Sequence, residues 1–344
     1  MPHTAEPRAF AVRTAAAAIG LAAALSLAAC ASGASSSDHK AASHQPSATA
    51  SPTPRGIVSA DQANEIVDRY EQVNNAANAK QDAAELGSVE GGATFEQSRA
   101  DFKQWPTYSV KERKEYAEAW TYTRRTYFVP EQGKATWFLM RAYADHGGKV
   151  SKEPSLVVFD NPDGAAYKLT ASVHGLAAEP PLPQTGPDGL AALATATDKS
   201  GSLAPADVTA AFEDLYAAGG RDKSSGLDRT TASAKTALKV YAERDKELGP
   251  QGGAKKFFPA KTSHSIYALK TPDGVLALVP LAHTMEVMVT RPGLQVDPSP
   301  VDRLYGVKSG PVITDEFRGQ AAAYLPAHGS AEILGFSYTV TGAH

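Results

Sequence analysis

From Ser59 onward the chain moves between two hydrophobic periods, one near 3.6 residues and one of two. Ser59 stands three residues before Gln62, a capping-box pair, and Ala63, Ile66, Val67, Tyr70, Val73 and Ala77 follow at the spacing of one helical face. Pro205 occupies a favoured first helical position, and Val208, Ala211, Phe212, Leu215 and Tyr216 repeat that spacing. Strand patterns come after each helix. Tyr167, Leu169, Ala171 and Val173 alternate with Lys168, Thr170, Ser172 and His174, which predicts a strand with one face on a core and one in water. Leu334, Phe336, Tyr338 and Val340 alternate with Ile333, Gly335, Ser337 and Thr339 and predict a last, more buried strand. Residues 275–289 are apolar enough for a long central strand, in which Pro280 predicts a bulge or bend. Asn161-Pro162-Asp163-Gly164 and Pro272-Asp273-Gly274 supply turns.

The two helices read as counterparts. So do Phe128-Val129-Pro130 before Trp137-Phe138 and Phe257-Phe258-Pro259 before Ile266-Tyr267, with the same gap of seven after the proline. Tyr70 to Tyr216 is an offset of 146 and Pro130 to Pro259 one of 129, so the first half carries about 17 more residues, which 106–122 can supply. Helices lead and strands follow in each half, so the expected class is α+β, with two related halves that each pack helices on a curved antiparallel sheet. That element order resembles the cystatin and NTF2-like folds. The expected domains are 59–185 and 186–344, joined through the proline-rich stretch 175–202.

The N-terminus reads as an address rather than as part of the fold. Arg8 and Arg13 precede an apolar run at 15–29, too short for the roughly 20 residues of a spanning helix but suited to a cleavable signal. Its ending, Leu27-Ala28-Ala29-Cys30, is similar to the bacterial lipobox. The resemblance implies that residues 1–29 are removed and that Cys30 is the lipid-attachment residue, acylated and held in the extracytoplasmic face of the membrane. Two or three acyl chains anchor stably where one does not. Residues 30–58 are Ser, Ala, Thr, Pro and His with almost nothing large and apolar, the composition of a disordered tether with a reach of roughly 30 Å.

Composition narrows the chemistry. The chain has one cysteine, so after lipidation no thiol remains for a disulfide or thiolate catalysis, and a formal net charge of −3 gives no basic footprint for nucleic acid. The zincin, P-loop, hydrolase-elbow and EF-hand motifs do not occur. No cofactor or metal site is expected: His264 and His283 flank the long strand region, but two histidines without a third ligand make a poor zinc site. The least bland constellation is Trp120, Tyr122 and Arg124. On a regular strand these share one face, opposite Arg125 and Tyr127, and combine a fixed positive charge with aromatic walls, as a small anionic ligand requires.

The chain as a whole is similar to the alanine-rich, lipobox-bearing secreted lipoproteins of actinobacterial type, a resemblance that implies export and anchoring and nothing catalytic. The expected function is a non-enzymatic binding or scaffolding module at the membrane surface, its partner a cell-envelope component or a small anion. The alternatives are a transporter's solute-binding lipoprotein, which requires strands and helices alternating about a hinge, and a cell-envelope hydrolase, which requires a convergent acid and base.

Overall fold

The computed structural model describes residues 55–344. Cys30, the expected signal 1–29 and most of the expected tether therefore lie outside the described residues. The first half opens with helices α1 (Ala60–Lys80), α2 (Ala83–Leu86), α3 (Gly92–Gln104) and α4 (Val110–Ala117). Strands β1 (Thr121–Phe128), β2 (Trp137–His146), β3 (Lys149–Val150), β4 (Ser155–Asp160) and β5 (Lys168–Val173) follow. The second half repeats the scheme with α5 (Pro205–Ala218) and α6 (Ala232–Glu243) before its strands. These are β6 (Gly253–Pro259), β7 (Tyr267–Thr271), β8 (Gly274–Val289), β9 (Val312–Pro326) and β10 (Glu332–Ala343), with the short α7 (Pro300–Leu304) before β9. The fold is α+β, with two antiparallel sheets in the orders β1-β2-β4-β5 and β10-β9-β8-β6.

Both sheets are buried on both faces, and the alternation of side chains says against what. In sheet 1, Phe138, Met140, Val157 and Phe159 meet Val67, Tyr70 and Ala77 of α1. Their neighbours Leu139, Leu156 and Val158 turn the other way, onto Tyr267, Leu276, Leu278 and Ala322 of sheet 2. The far face of sheet 2, with Val275, Ala277, Val279, Ala321 and Ala323, meets Val208, Phe212, Leu215 and Tyr216 of α5. The layers thus run helix, sheet, sheet, helix, and a strand such as β4, buried at every position, serves two cores at once.

Local signals hold where they depend on neighbours in sequence. Ser59 and Gln62 form the expected capping box, with Gln62 N–H donating to Ser59 Oγ at 3.2 Å and Ser59 N–H to Gln62 Oε1 at 2.8 Å. Pro205 opens α5, and the extra segment 106–122 holds α4. Pro280, by contrast, sits in unbroken register opposite Gln320, without a bulge. It falls between the partners on the other side of β8, since β7 pairs with residues up to Leu278 and β6 with residues from His283. The partner motif also corrects: Trp137-Phe138 opens β2 against β1, whereas Tyr267 opens β7, which pairs with β8 and not with β6.

Bulges overturn three expected faces. In β5 one extra residue, Thr170, separates Leu169, on the α1 side, from Ala171 and Val173, on the sheet 2 side. In β10 a shift between Ile333 and Gly335 separates Leu334 from Phe336 in the same way. In β1 the extra residue lies between Thr123 and Thr126. All three lie in strands at sheet edges, where bulges also limit edge-to-edge pairing.

The tether boundary moves as well. Arg55 O accepts from Gln132 N–H at 2.8 Å, Ile57 N–H donates to Pro130 O at 3.1 Å, and Val58 is buried. The reason is the apolar pair Ile57-Val58, which the polar composition of the preceding stretch concealed. The connection between the halves is also held down. Ala194 N–H donates to Ala268 O, Lys270 N–H to Ala192 O and Ala191 N–H to Val129 O, so the connection extends sheet 2 beside β7 and ties it to the end of β1.

Candidate functional site

The bulge in β1 separates the three residues expected to form a pocket. Tyr122 is buried against α1, and Trp120 packs edge-on against it at 4.7 Å between ring centroids. Arg124 takes the positive φ of the bulge, 53°, and is exposed, its guanidinium 5.4 Å from the Tyr143 ring centroid. Arg125 is the arginine turned toward α1, bonded to Asp68 at 2.6 Å and to Glu71 at 2.7 Å. Glu71 also accepts the Tyr122 backbone N–H at 2.6 Å, so one buried carboxylate secures both the bulged backbone and the displaced guanidinium. The shared face of Trp120, Tyr122 and Arg124 is thereby corrected: the arginine of that trio faces solvent.

A concavity lined by charged side chains lies instead where the two halves meet. It begins at α3. That helix starts at Gly91-Gly92, with no side chain capping its first N–H groups, and its buried face carries Thr94, Gln97 and Gln104 in place of large apolar residues. These amides dock the first half on the second: Gln320 of β9 donates to Gln97 at 2.6 Å and accepts from Ser172 N–H at 2.8 Å, and Gln104 donates to Val340 O at 2.6 Å. Opposite α3 stands the polar loop between β6 and β7, Lys261-Thr262-Ser263-His264-Ser265.

Two adjoining cavities, of about 340 and 180 Å³, share Gly92, Ser263 and His264 and form one cleft. Its outer basin is lined by Arg99, Lys261, His264 and Arg318 around a single carboxylate, Glu96. Glu96 lies 2.8 Å from His264 Nε2 and 3.8 Å from Arg318 Nε. The basin's other cationic side chains, Arg99 and Lys261, come from opposite walls, so an anion between them would bridge the halves.

The inner slot has a different character. The buried carboxylate of Asp160, at the end of β4, accepts from Thr136 Oγ1 at 2.7 Å and from Tyr267 Oη at 2.9 Å. Burial pushes the Tyr267 hydroxyl up, so it remains a donor to Asp160. Thr170 Oγ1 lies 3.0 Å from the same phenol oxygen and donates to Val158 O at 3.4 Å, so the Tyr267 hydroxyl is set between Asp160 and Thr170. Thr170 is the extra residue of the β5 bulge, which is what aims its hydroxyl here. Leu278 and Pro280 form the apolar wall.

Gly92 fixes the approach of α3 to this slot. Its φ is +54°, and a Cβ there would stand 2.9 Å from the Thr170 carbonyl oxygen. Gly92→Ala is expected to cost about 1–3 kcal/mol, through the left-handed backbone and the clash, measured as a lowered midpoint of urea unfolding. An unchanged midpoint would show that α3 approaches less closely than described.

Of the residues in the cleft, the sequence had weighed only His264 for chemistry, as one of two flanking histidines; Pro162, Thr170, Ala171, Tyr267 and Pro280 had been read as structural. It does not meet His283: His264 pairs with Glu96, and His283 lies buried 2.8 Å from Glu213. Two features that the sequence reading passed over lie in the cleft, the polar run 261–265 between apolar segments and the Gly91-Gly92 pair before a helix. Neither carries chemistry until the halves are brought together.

Among the described residues no helix is long and apolar enough to cross a membrane. The chain is 29% identical over 309 residues to a Streptomyces coelicolor protein described as "Uncharacterized lipoprotein SCO6871", covering 87% of this chain and 85% of that one. A family model described as "Domain of unknown function (DUF8094)" matches residues 54–344, the whole of the folded unit laid out above, and the chain belongs to that family.

Proposed function

We propose that the protein is a lipoprotein anchored through Cys30 at the extracytoplasmic face of the membrane, and that it acts as a non-enzymatic binding module whose binding surface is the cleft between its halves. The observation that carries the reading is the outer basin, where Arg99, Lys261, His264 and Arg318 surround one carboxylate in a chain whose net charge is negative. A local cationic excess inside a concavity attracts and orients an anion-bearing ligand. The anchoring half of the proposal is supported by the lipobox and by a relative that is itself named a lipoprotein. The antiparallel sheets favour it over a transporter's solute receptor, whose hinge requires alternating strands and helices.

Two measurements test it. Cys30→Ala is expected to move the protein from the membrane to the soluble fraction on cell fractionation, and a variant still sedimenting with membranes would remove the anchor. The double variant Arg99→Glu and Lys261→Glu changes exposed residues on opposite walls. It is expected to abolish binding of small phosphorylated or carboxylated compounds while leaving thermal unfolding cooperative; unaltered binding would remove the cleft.

A further inference from the structure

The cleft has two parts of unlike chemistry, and a single ligand that satisfies both is narrowly defined. We infer that it takes an anionic polyol, a molecule with a phosphate or carboxylate at one end and neighbouring hydroxyls at the other. This rests on the reading of the cleft as the binding surface. The anionic end belongs to the outer basin, between Arg99 and Lys261 of opposite walls.

The inner slot sets the other end. Asp160 accepts one hydrogen bond on each oxygen, and a carboxylate oxygen accepts two, so it retains room for donors from a ligand. An apolar group pressed against it would remove water without replacing the lost bonds, and a second anion would be repelled. An ammonium would suit Asp160 alone. Of the slot's other polar groups, Gln320 and His264 are bonded to Gln97 and Glu96, Tyr267 and Thr170 have their protons on Asp160 and Val158 O and offer oxygens that accept, and the hydroxyls of Ser263 and Ser265 both donate and accept, whereas an ammonium accepts nothing. A ligand hydroxyl meets both needs, and the Leu278 and Pro280 wall receives the carbon face of a polyol. Such a molecule reaches a membrane-tethered protein from two sources, as a free sugar phosphate or sugar acid, or as the phosphorylated polyol headgroup of a lipid.

Calorimetric titration of the detergent-solubilised full chain separates these cases. Glucose 6-phosphate, with glycerol 3-phosphate as a second shape, is expected to bind about tenfold more tightly than inorganic phosphate or glucose. Arg99→Gln with Lys261→Gln should weaken the polyol phosphates and inorganic phosphate alike. Thr170→Val should bring the polyol phosphates down to the affinity of inorganic phosphate and leave the latter unchanged. Binding to phosphatidylinositol vesicles, but not to phosphatidylcholine vesicles, and competed by glucose 6-phosphate, would assign the lipid source; soluble binding without vesicle binding would assign the free one. If neither polyol phosphate binds more tightly than inorganic phosphate, or an amino acid binds more tightly than both, the polyol inference is overturned while the cleft stands as an anion site. If no anionic probe binds, the cleft reading falls with it.

Discussion

Glu90→Gln is expected to stabilise the protein by about 3 kcal/mol at pH 8 and to leave its stability at pH 4 unchanged. Glu90 follows α2 and is buried, with its Oε1 accepting from Tyr70 Oη at 3.2 Å. Its Oε2 has no hydrogen-bond partner among the described residues. Burial pushes its carboxyl up from the ordinary 4.5 to about 7, against the pull of the Ser98 and Tyr70 hydroxyls. The folded chain therefore holds this proton to a higher pH than the unfolded chain does. Stability attributable to Glu90 is intact below about 4.5, falls as the pH climbs toward about 7, and is fully lost above that. Glutamine keeps the acceptor for Tyr70 and carries no charge to desolvate. Urea unfolding of both proteins at several pH values between 4 and 8 measures the effect. Parallel profiles would show that Glu90 is not ionising in a buried site.

The second large effect belongs to the core of the other half. Glu213 of α5 accepts from Tyr338 Oη at 2.7 Å through Oε1, while its Oε2 lies 2.8 Å from His283 Nδ1. His283 in turn is stacked between Tyr216 and Phe317, at 5.2 and 4.8 Å between ring centroids. With Glu213 and His283 almost wholly buried, solvent cannot replace a lost partner. Glu213→Leu is expected to cost about 3–5 kcal/mol, because it leaves an imidazole and a phenol without their acceptor in an apolar surround. Adding His283→Phe and Tyr338→Phe removes the stranded groups and should recover most of that loss. Denaturant midpoints of the single and triple variants decide the matter. A single substitution costing less than about 1 kcal/mol would show that water reaches the cluster. A triple variant no better than the single would show that packing, and not unmet hydrogen bonding, set the cost.

The two clusters mark where the one-dimensional reading ended. Tyr70 and Tyr216 were legible as core positions because helical spacing is a local property, and both face their own sheet as expected. Glu90, Glu213 and His283 were not legible, since a polar residue inside a core is recognisable only through the partner that satisfies it. His283 and Glu213 are 70 residues apart in sequence. The same limit applies to the cleft, where Glu96 and His264 are separated by 168 residues.

By itself the sequence determined the class of the fold, the capping of α1, the start of α5 and the order of helices before strands. All of these rest on neighbours within a few positions, whose spacing is fixed by the geometry of a helical turn or a strand. Only the tertiary structure decided which face of a strand each residue occupies. A bulge adds one residue to one strand of a pair and inverts every side chain beyond it, and nothing in an alternating pattern announces the addition. That inversion sent Arg124 to solvent and Arg125 to α1, and placed Thr170 beside Asp160 and Tyr267. The packing of one sheet on the other then brought Arg99 opposite Lys261, creating a concentration of charge that the nearly neutral sum over the chain conceals.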